Sequence, residues 1–328
     1  MKCLVTGATG FIGSNLVREL LNRKYEVNLL VRSKNKLDDD LKSECSIFEG
    51  DLFNLEAIEK SVKGCKCIFH MAAYANIWSK DKSHAFKTNV QGTENILNAA
   101  LKNKVSKVIF TSSAATLTPS EKKEEVDETF PPPNNYLTDY ETTKKQAEEL
   151  CVKFAQQGLD VIIVNPSRVF GPGLLSKSNS VTLLIKKFIS GTWRFIPGSG
   201  KQIGNYVFVD DVVSGHILAQ QYGKPGERYI LGGTNISFNG FFELLKEVSG
   251  KSYNLFHLPF SLMLAVSKLE LFMAENFGKK PLITPPWIKR YMQHRLVSSQ
   301  KAINEIHYTI TPLSEALEQT VNWIRMKS

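Results

Sequence analysis

The sequence predicts an α/β fold in which helices cover both faces of a parallel β-sheet. Short apolar runs rich in β-branched residues alternate with longer segments of helical periodicity through the first half of the chain. The first unit is a strand from Lys2 to Thr6, a glycine turn, a helix from about Phe11 and a second strand from Glu26 to Val31. Such alternation is typical of a doubly wound, Rossmann-like sheet.

Four further strands continue this pattern. They are predicted at Ser46–Glu49, at Lys66–His70, at Lys107–Thr111 and just before Asn165. At 328 residues the chain is long for one compact domain. We therefore predict a nucleotide-binding domain over residues 1–172, which carries the catalytic residues, and a smaller C-terminal substrate-binding subdomain over most of residues 173–328. Residues 204–219 are expected to return to the first domain.

Composition excludes several classes of protein. The 41 Lys and Arg residues exceed the 32 Asp and Glu residues, a net charge of +9, but no run of five or six basic residues occurs, so we predict no nucleic-acid partner. The five cysteines include no CxxC pair and no neighbouring histidine at metal spacing. Reduced thiols, a cytoplasmic location and no metal site are the prediction.

No segment suits a signal peptide, because the N-terminus enters a strand directly. The most apolar stretch, Leu255 to Phe277, is interrupted by Lys268, Glu270 and Glu275, so no transmembrane span is predicted. A helix that lies on a membrane surface, or that lines an apolar pocket, stays open for this stretch.

The glycine turn after the first strand predicts a dinucleotide site. Gly7, Gly10 and Gly13 follow one another at a spacing of three residues. Gly7 is free to take a positive φ, Gly10 lets a pyrophosphate approach the backbone, and Gly13 lets the helix pack closely on the strand. The N-terminus of that helix points its unpaired N–H groups at the phosphates.

The segment TGATGFIG, with its GxxGxxG spacing, resembles the extended short-chain dehydrogenase/reductases, part of the NAD-dependent epimerase/dehydratase superfamily. The resemblance spans nearly the whole chain and is nearest to the dihydroflavonol 4-reductase, 3β-hydroxysteroid dehydrogenase and hopanoid-associated sugar epimerase group. It implies a homodimer formed through helices that flank the sheet. The glycine turn and the resemblance together predict these cofactor-binding residues: Gly7, Thr9, Gly10, Phe11, Ile12, Gly13, Arg32, Lys36, Asp51, Leu52, Ala72, Ala73, Thr111, Tyr140, Lys144, Pro166 and Val169.

Arg32 bears on the choice of cofactor. An NAD enzyme typically places Asp or Glu after the second strand, whereas a cation at this position suits the 2′-phosphate of NADP. Lys34 and Lys36 are placed to assist. NADP(H) is the predicted cofactor and NAD(H) the alternative, unless Arg32 is only a solvated loop charge.

Three residues are predicted to carry the chemistry. Ser113 follows the fifth strand, and Tyr140 and Lys144 share one face of a helix because they are four residues apart. A cation near a phenol favours the phenolate, so Lys144 is expected to lower the pKa of Tyr140. The resemblance implies that Tyr140 is the general acid or base, that Ser113 binds the substrate oxygen and that Lys144 holds the nicotinamide ribose.

The substrate is predicted to be a small, partly apolar molecule, since large apolar side chains concentrate in the second half of the chain. Core packing is the default interpretation of these apolar residues, which include Phe195, Phe256, Phe260, Met263 and Phe272. The candidate substrate residues are Ala75, Ser113, Ala114, Thr116, Arg168 and Tyr206. Arg168 either reaches the substrate or is solvated.

Other polar residues are assigned structural roles. We predict that His70 and His84 are structural histidines, and that Asp210 and Asp211 cap the next helix. The resemblance implies that Asp51 bonds the adenine amine, and that Asn89, expected to begin a long helix, braces the sheet.

The leading hypothesis is an NADP(H)-dependent oxidoreductase that interconverts a carbonyl and an alcohol, with hydride from nicotinamide and a proton from Tyr140. The alternative is a nucleotide-sugar epimerase or dehydratase that reduces NAD only transiently. A dehydratase needs a carboxylate near Ser113, and Ser112 to Leu117 offers none. A third hypothesis, a catalytically silent sensor of NADP, is disfavoured because the serine, tyrosine and lysine are all present.

Overall fold

The computed structural model describes residues 1–81, 83–121, 124–175 and 179–327. Its central feature is a seven-stranded sheet in which every neighbouring pair of strands is parallel. The strands run in the spatial order β10-β6-β5-β4-β1-β2-β3. Their bounds are β1 Lys2–Thr6, β2 Glu26–Val31, β3 Ser46–Glu49, β4 Cys67–His70, β5 Lys107–Thr111, β6 Val161–Pro166 and β10 Arg228–Leu231.

Helices cover both faces of this sheet, as the alternating pattern predicts. One face is covered by α1 (Phe11–Asn22), α2 (Asp39–Glu44), α8 (Val209–Tyr222) and α12 (Gln300–Ile306). The other is covered by α3 (Leu55–Val62), α5 (Gly92–Lys102) and α6 (Asp139–Gln156). The predicted doubly wound fold is confirmed.

The strand order fixes where a ligand binds. β2 and β3 lie on one side of β1, and β4, β5 and β6 lie on the other. The direction in which the chain adds strands therefore reverses between β1 and β4. In open α/β sheets the crevice at such a reversal, beyond the carboxyl ends of the strands, is the usual ligand site. Gly7 follows β1 and Met71 follows β4 at this point.

The second half of the chain builds a smaller layer over that edge. A three-stranded sheet joins β7 (Arg168–Phe170), β9 (Ile203–Phe208) and β11 (Thr234–Ser237), and a two-stranded sheet joins β8 (Phe195–Pro197) and β12 (Phe256–Leu258). The helices are α7 Ser180–Ile189, α9 Phe238–Ser249, α10 Phe260–Phe277, α11 Pro285–Tyr291 and α13 Leu313–Met326. Phenylalanines from several of these elements form a separate apolar core. Besides α8, strand β10 and helix α12 belong to the seven-stranded sheet and its core, as well as to the second half of the chain.

Among the described helices, none combines the length and the apolar character needed to cross a bilayer.

The helix around Asn89 begins earlier than predicted. It starts as α4 (Ser83–Phe86), passes through a π-helical turn at Lys87–Gln91 and continues as α5. The expectation that Asn89 begins the helix is wrong because the sustained apolar periodicity starts only at Val90. The turns before it hold Ala85 and Phe86 among polar residues, a pattern too short to predict a helix. Asn89 accepts the N–H of Tyr74 at 2.6 Å and donates to Thr143 Oγ1 at 3.0 Å, so its bracing role is confirmed.

Asp210 and Asp211 also differ from the prediction. Both lie in the first turn of α8, but the N-cap residue is Phe208 and no side chain caps the helix. Asp211 instead accepts two hydrogen bonds from Thr311, one from Oγ1 at 2.6 Å and one from the backbone N–H at 2.9 Å. The capping role is therefore wrong, because the segment before α13 supplies the donors for this carboxylate.

Candidate active site

The glycine turn after β1 packs against the residues that follow β4. Gly7 has a φ of +78°, and a Cβ atom there would lie 2.7 Å from the backbone nitrogen of Ala72. A Cβ atom on Gly13 would lie 2.2 Å from the carbonyl oxygen of Gly7. The helix therefore approaches the strand as closely as the spacing predicts, and a side chain at either glycine would push the elements apart.

The first turn of α1 leaves backbone donors for an anion. The helix begins at Phe11, and its N-cap residue Gly10 provides no side chain. The N–H groups of Phe11, Ile12 and Gly13 have no acceptor within the helix, because no turn precedes them to supply carbonyl groups. Together with the positive end of the helix dipole, these donors suit a pyrophosphate.

A buried chain of hydrogen bonds fixes the strand ends beside this turn. Thr6 Oγ1 lies 2.7 Å from His70 Nδ1 and accepts the N–H of Ala72 at 3.2 Å, while His70 Nε2 lies 3.0 Å from Thr93 Oγ1. Burial lowers the pKa of His70 to about 3. His70 is therefore neutral at physiological pH, and its predicted structural role is confirmed.

Arg32 and Lys36 follow β2 on the exposed rim of the crevice. Within the part of the chain that the structure describes, neither side chain makes a hydrogen bond or an ion pair. Glu49, at the end of the neighbouring strand β3, accepts the N–H of Lys34 at 2.8 Å. The two cations are thus free to meet a phosphate.

Asp51 shapes the turn that follows β3. Its Oδ1 accepts the N–H groups of Phe53 and Asn54 at 2.9 and 3.0 Å, and Asn54 is the residue that caps α3. The side chain is exposed, so the second carboxylate oxygen is open to solvent or to a ligand.

Helix α6 and the residues after β5 bring the three predicted catalytic side chains together. Ser113 caps a short 3-10 turn, and its Oγ accepts the N–H of Ala115 at 3.2 Å. The phenol of Tyr140 lies beside Ser113, whose hydroxyl favours the ionised form of the phenol. Lys144 lies one turn further along α6 and is only 2% exposed. A capping box between Thr138 and Glu141 fixes the start of the helix next to Tyr140.

The pKa of Tyr140 moves in the direction opposite to the prediction. Burial raises it above the usual value for tyrosine, and the neighbouring Ser113 hydroxyl and the charge of Arg290 offset only part of this rise. The expectation that Lys144 lowers this pKa is wrong because Lys144 Nζ donates to the carbonyl oxygen of Thr111 at 2.6 Å. Tyr140 is consequently a neutral phenol, able to donate a proton.

Lys144 has a lowered pKa of its own. Burial reduces it to about 8, and the charge of Glu148 offsets this only in part. The ammonium group also lies 4.2 Å from the centre of the Phe110 ring.

The nearby phenol of Tyr136 donates to the carbonyl oxygen of Thr116 at 3.1 Å, which leaves Tyr140 as the tyrosine available to a ligand.

A buried carboxylate, which the motifs do not indicate, lies beneath the site. Glu148 Oε1 accepts from Ser112 Oγ at 2.5 Å, from Thr116 Oγ1 at 2.9 Å and from Asn165 Nδ2 at 2.7 Å. Arg228 Nη1 lies 3.4 Å from its other oxygen. A carboxylate therefore does lie near Ser113, but it comes from α6, and its bonds hold the strand ends together rather than facing a ligand.

A second buried carboxylate links the start of α6 to the C-terminal part of the chain. Glu141, which is 0% exposed, accepts Arg290 Nε at 2.8 Å and Arg295 Nη2 at 3.1 Å. Burial, with the charge of Arg290 next, lowers the pKa of Arg295 to about 10. Sequence reasoning missed both arginines, since they lie about 150 residues from Tyr140 and belong to no motif.

Arg168 is partly buried, and within the described ranges it pairs with no carboxylate. Its Nη1 donates to the hydroxyl of Tyr206 at 3.1 Å, and its guanidinium carbon lies 5.3 Å from the ring centres of Tyr206 and Phe238 and 5.9 Å from that of Tyr291. Aromatic faces attract a cation in this way. Arg168 thus adds an unpaired positive charge on the side of the site where Arg290 and Arg295 lie.

The remaining predicted residues differ in exposure. Ala73 and Ala75 are exposed, and partial exposure is shared by Thr9, Ala72, Ala114 and Val169. The buried ones are Leu52, Thr111, Thr116, Pro166 and Tyr206. Thr111 Oγ1 bonds to His216 Nε2 at 2.9 Å, so this hydroxyl has a protein partner already.

The parallel sheet with its glycine turn, together with the Ser113, Tyr140 and Lys144 group at one strand end, defines an extended short-chain dehydrogenase/reductase. The model of the NAD dependent epimerase/dehydratase family matches residues 3–232. The chain belongs to that family, and it is an enzyme of the oxidoreductase type.

Two relatives are similar over almost their whole length. One, from Synechocystis sp., carries the provisional name dihydroflavonol 4-reductase and is 33% identical over 98% of this chain and 94% of its own. Sterol demethylase protein B of Methylococcus capsulatus is 31% identical over 99% of this chain and 98% of its own.

Solved structures agree on the architecture. The structure of gox2253 has a TM-score of 0.82 and 31% identity, and the match covers 99% of this chain and 98% of that one. UDP-glucuronic acid 4-epimerase from Bacillus cereus, solved in complex with NAD, has a TM-score of 0.78 and 25% identity over 100% and 99% of the two chains. The family thus includes reductases and epimerases on one scaffold.

Proposed function

We propose that this protein is an NADP(H)-dependent reductase that converts the carbonyl group of a small, partly apolar molecule to an alcohol. The observation that carries the proposal is Tyr140, a partly buried phenol that lies beside Ser113 and whose raised pKa keeps it neutral. A neutral phenol next to a second hydroxyl suits donation of a proton to a carbonyl oxygen as that oxygen gains charge. The relatives named as a reductase and as a sterol demethylase support a substrate with apolar parts.

The residues at the crevice fit a dinucleotide. Gly7 and Gly13 leave no room for a Cβ atom and so let α1 start close to the strand ends, where its first turn offers free N–H donors. The glycine turn would hold the pyrophosphate, Asp51 the adenine amine and Lys144 the nicotinamide ribose. When bound, nicotinamide supplies the hydride.

Ser113 and Tyr140 would divide the remaining work. Ser113 Oγ donates to the carbonyl oxygen and orients it, and Tyr140 transfers its proton to the same oxygen. Lys144, with a lowered pKa of about 8, is charged at neutral pH and would hold the nicotinamide ribose next to Tyr140. The buried Glu148 network keeps Ser113 and the end of β6 in place.

Arg32 supports NADP(H) over NAD(H). It is exposed at the end of β2, with Lys36 near by, and no carboxylate pairs with either side chain in the described part of the chain. A 2′-phosphate would gain charge-assisted hydrogen bonds there.

We further propose a cytoplasmic homodimer. All five cysteines are free, and burial raises the pKa of Cys3 to about 12 and that of Cys65 to about 11, so these thiols are unreactive. The exposed sides of α5 and α6 are the proposed dimer contact, following the family.

A second candidate is an epimerase that acts on a nucleotide sugar. Among the described residues, Glu141 is the one carboxylate paired with the cluster of Arg168, Arg290 and Arg295, and this excess of positive charge favours an anionic group beside Tyr140. An epimerase returns the hydride within one turnover, so free cofactor shows no net change.

The test is the binding of NADPH and of NADH to the purified wild type, followed by nicotinamide fluorescence, and then to Arg32→Asp. We expect NADPH to bind at least about tenfold more tightly than NADH, and the substitution to abolish this preference while NADH affinity changes little. Lys251→Asp, an exposed change distant in sequence, is the matched control. Preference for NADH in the wild type would overturn the choice of cofactor.

A further inference from the structure

We propose that helix α10 docks this enzyme on the surface of an anionic lipid bilayer. The helix runs from Phe260 to Phe277, which is about 27 Å at the usual rise per residue. Core packing was the default interpretation of its apolar residues, but that is wrong for much of the helix. Only Met263, Ser267 and Ala274 are buried.

The exposed side chains form one continuous stripe. Leu262, Val266, Leu269 and Phe272 are 50%, 48%, 62% and 55% exposed, and their spacing of three or four residues places them on one face. We call these four residues, with the exposed Ala265 between them, the outer face of α10. Phe277 and Leu282, just beyond it, are 69% and 80% exposed.

The neighbouring strands add two more exposed rings. Phe195 of β8 and Phe256 of β12 are opposite each other in the parallel pairing and are 46% and 62% exposed. So many exposed large apolar side chains in one part of a chain are uncommon unless something binds to them. It does not enclose a pocket, because the outer face is open to solvent.

Charge decides what the outer face meets. Four exposed lysines lie along α10 and the segment that follows it, Lys268, Lys279, Lys280 and Lys289, against one exposed carboxylate, Glu275. The other glutamate of the helix, Glu270, is partly buried and accepts the N–H of Leu282 at 2.9 Å. An apolar helix face flanked by lysines matches an interface where acyl chains lie beneath anionic headgroups.

A second copy of the chain fits this surface less well. A two-fold contact uses the same patch on both subunits, so two patches that each carry more lysines than carboxylates would be brought together. An anionic bilayer presents a net charge opposite to that of the lysines. This inference goes beyond the proposed reaction and does not depend on it.

The test is flotation of the full-length protein with vesicles of phosphatidylcholine, with or without phosphatidylglycerol. We expect binding to the anionic vesicles, weakened by salt, and little binding to phosphatidylcholine alone. Leu269→Glu should lower the partition coefficient about tenfold or more, and Lys279→Glu with Lys280→Glu should lower it about tenfold.

Leu55→Glu is the matched control, because Leu55 is 59% exposed on α3, far from α10 in the chain. This variant should bind vesicles as the wild type does. Absence of wild-type binding to anionic vesicles, or equal binding by Leu269→Glu, would overturn the proposal. So would light scattering showing that Leu269→Glu turns a dimer into a monomer while no vesicles are bound, since the outer face would then belong to a second copy.

Discussion

Helices α6 and α10 have the same length, 18 residues, and opposite relations to solvent. α6 buries Glu141, Lys144 and Glu148, each with hydrogen-bonding partners or an adjacent aromatic ring. α10 exposes the large apolar side chains of its outer face. A buried charge is costly unless it is paired, and an exposed apolar stripe is unfavourable unless it meets a partner. The first arrangement therefore indicates chemistry and the second indicates association.

The largest effect is expected at the start of α6. Tyr140→Phe removes the proton donor and should lower kcat/KM for carbonyl reduction by about a thousandfold, within the usual range for a general acid. NADPH binding should change little, because the ring remains. Steady-state kinetics and cofactor fluorescence on the same preparation check this, with Tyr136→Phe as the control. Near-normal turnover by Tyr140→Phe would remove the tyrosine from the mechanism.

The next largest effect is expected on the free energy of unfolding, when a buried charge of α6 is removed. Glu148→Ala leaves Ser112, Thr116, Asn165 and Arg228 without their acceptor and should lower the free energy of unfolding by about 3 kcal/mol. Glu149→Ala, the adjacent residue with a side chain 64% exposed, should change it by less than about 0.5 kcal/mol. Urea unfolding of both variants measures the difference, and equal losses would contradict the account of the network.

A smaller effect should appear in the pH dependence of kcat/KM for NADPH, which reports the free enzyme. Because the pKa of Tyr140 is raised, its proton stays on throughout the neutral range, so no loss of activity should occur as pH rises to 7. Lys144 loses its charge near pH 8, so reduction should fall above that pH, up to about tenfold per pH unit. A falling limb centred below pH 7 that disappears in Tyr140→Phe would show that the tyrosine titrates lower.

The smallest effect is expected on the outer face of α10. Leu269→Ala should change the free energy of unfolding by less than about 0.5 kcal/mol, since this side chain packs against little. Leu245→Ala, on the buried face of α9, should cost about 3 kcal/mol through the cavity that it leaves. Urea midpoints compare the two. A large loss for Leu269→Ala would mean that the outer face is part of the folded core.

Local patterns predict the seven-stranded sheet and its helices well, because the signal for each element lies within a few consecutive residues. The glycine spacing specifies a close approach that Gly7 and Gly13 make, and Asn89 has the bracing role that the family resemblance implies. The predicted helix start at Asn89 is wrong because the turns before Val90 are too short and too mixed to show a helical pattern of apolar residues.

Contacts between distant segments were not predictable from spacing. Arg290 and Arg295 reach Glu141 across about 150 residues, and Glu148 reaches Ser112 from another element. The direction of the pKa shift of Tyr140 depends on burial and on where Lys144 Nζ points, neither of which the YxxxK spacing contains. The roles of Ser113, Tyr140 and Lys144 in turnover stay predictions.

The most direct test of the central proposal is net consumption of NADPH by the wild-type enzyme with a panel of apolar ketones and aldehydes, followed by absorbance of the reduced nicotinamide. The account predicts oxidation of one NADPH for each alcohol formed with at least one member of the panel, and no such signal from Tyr140→Phe. Conversion of nucleotide sugars with no net change in cofactor, and no NADPH oxidation with any carbonyl compound, would contradict it and identify an epimerase.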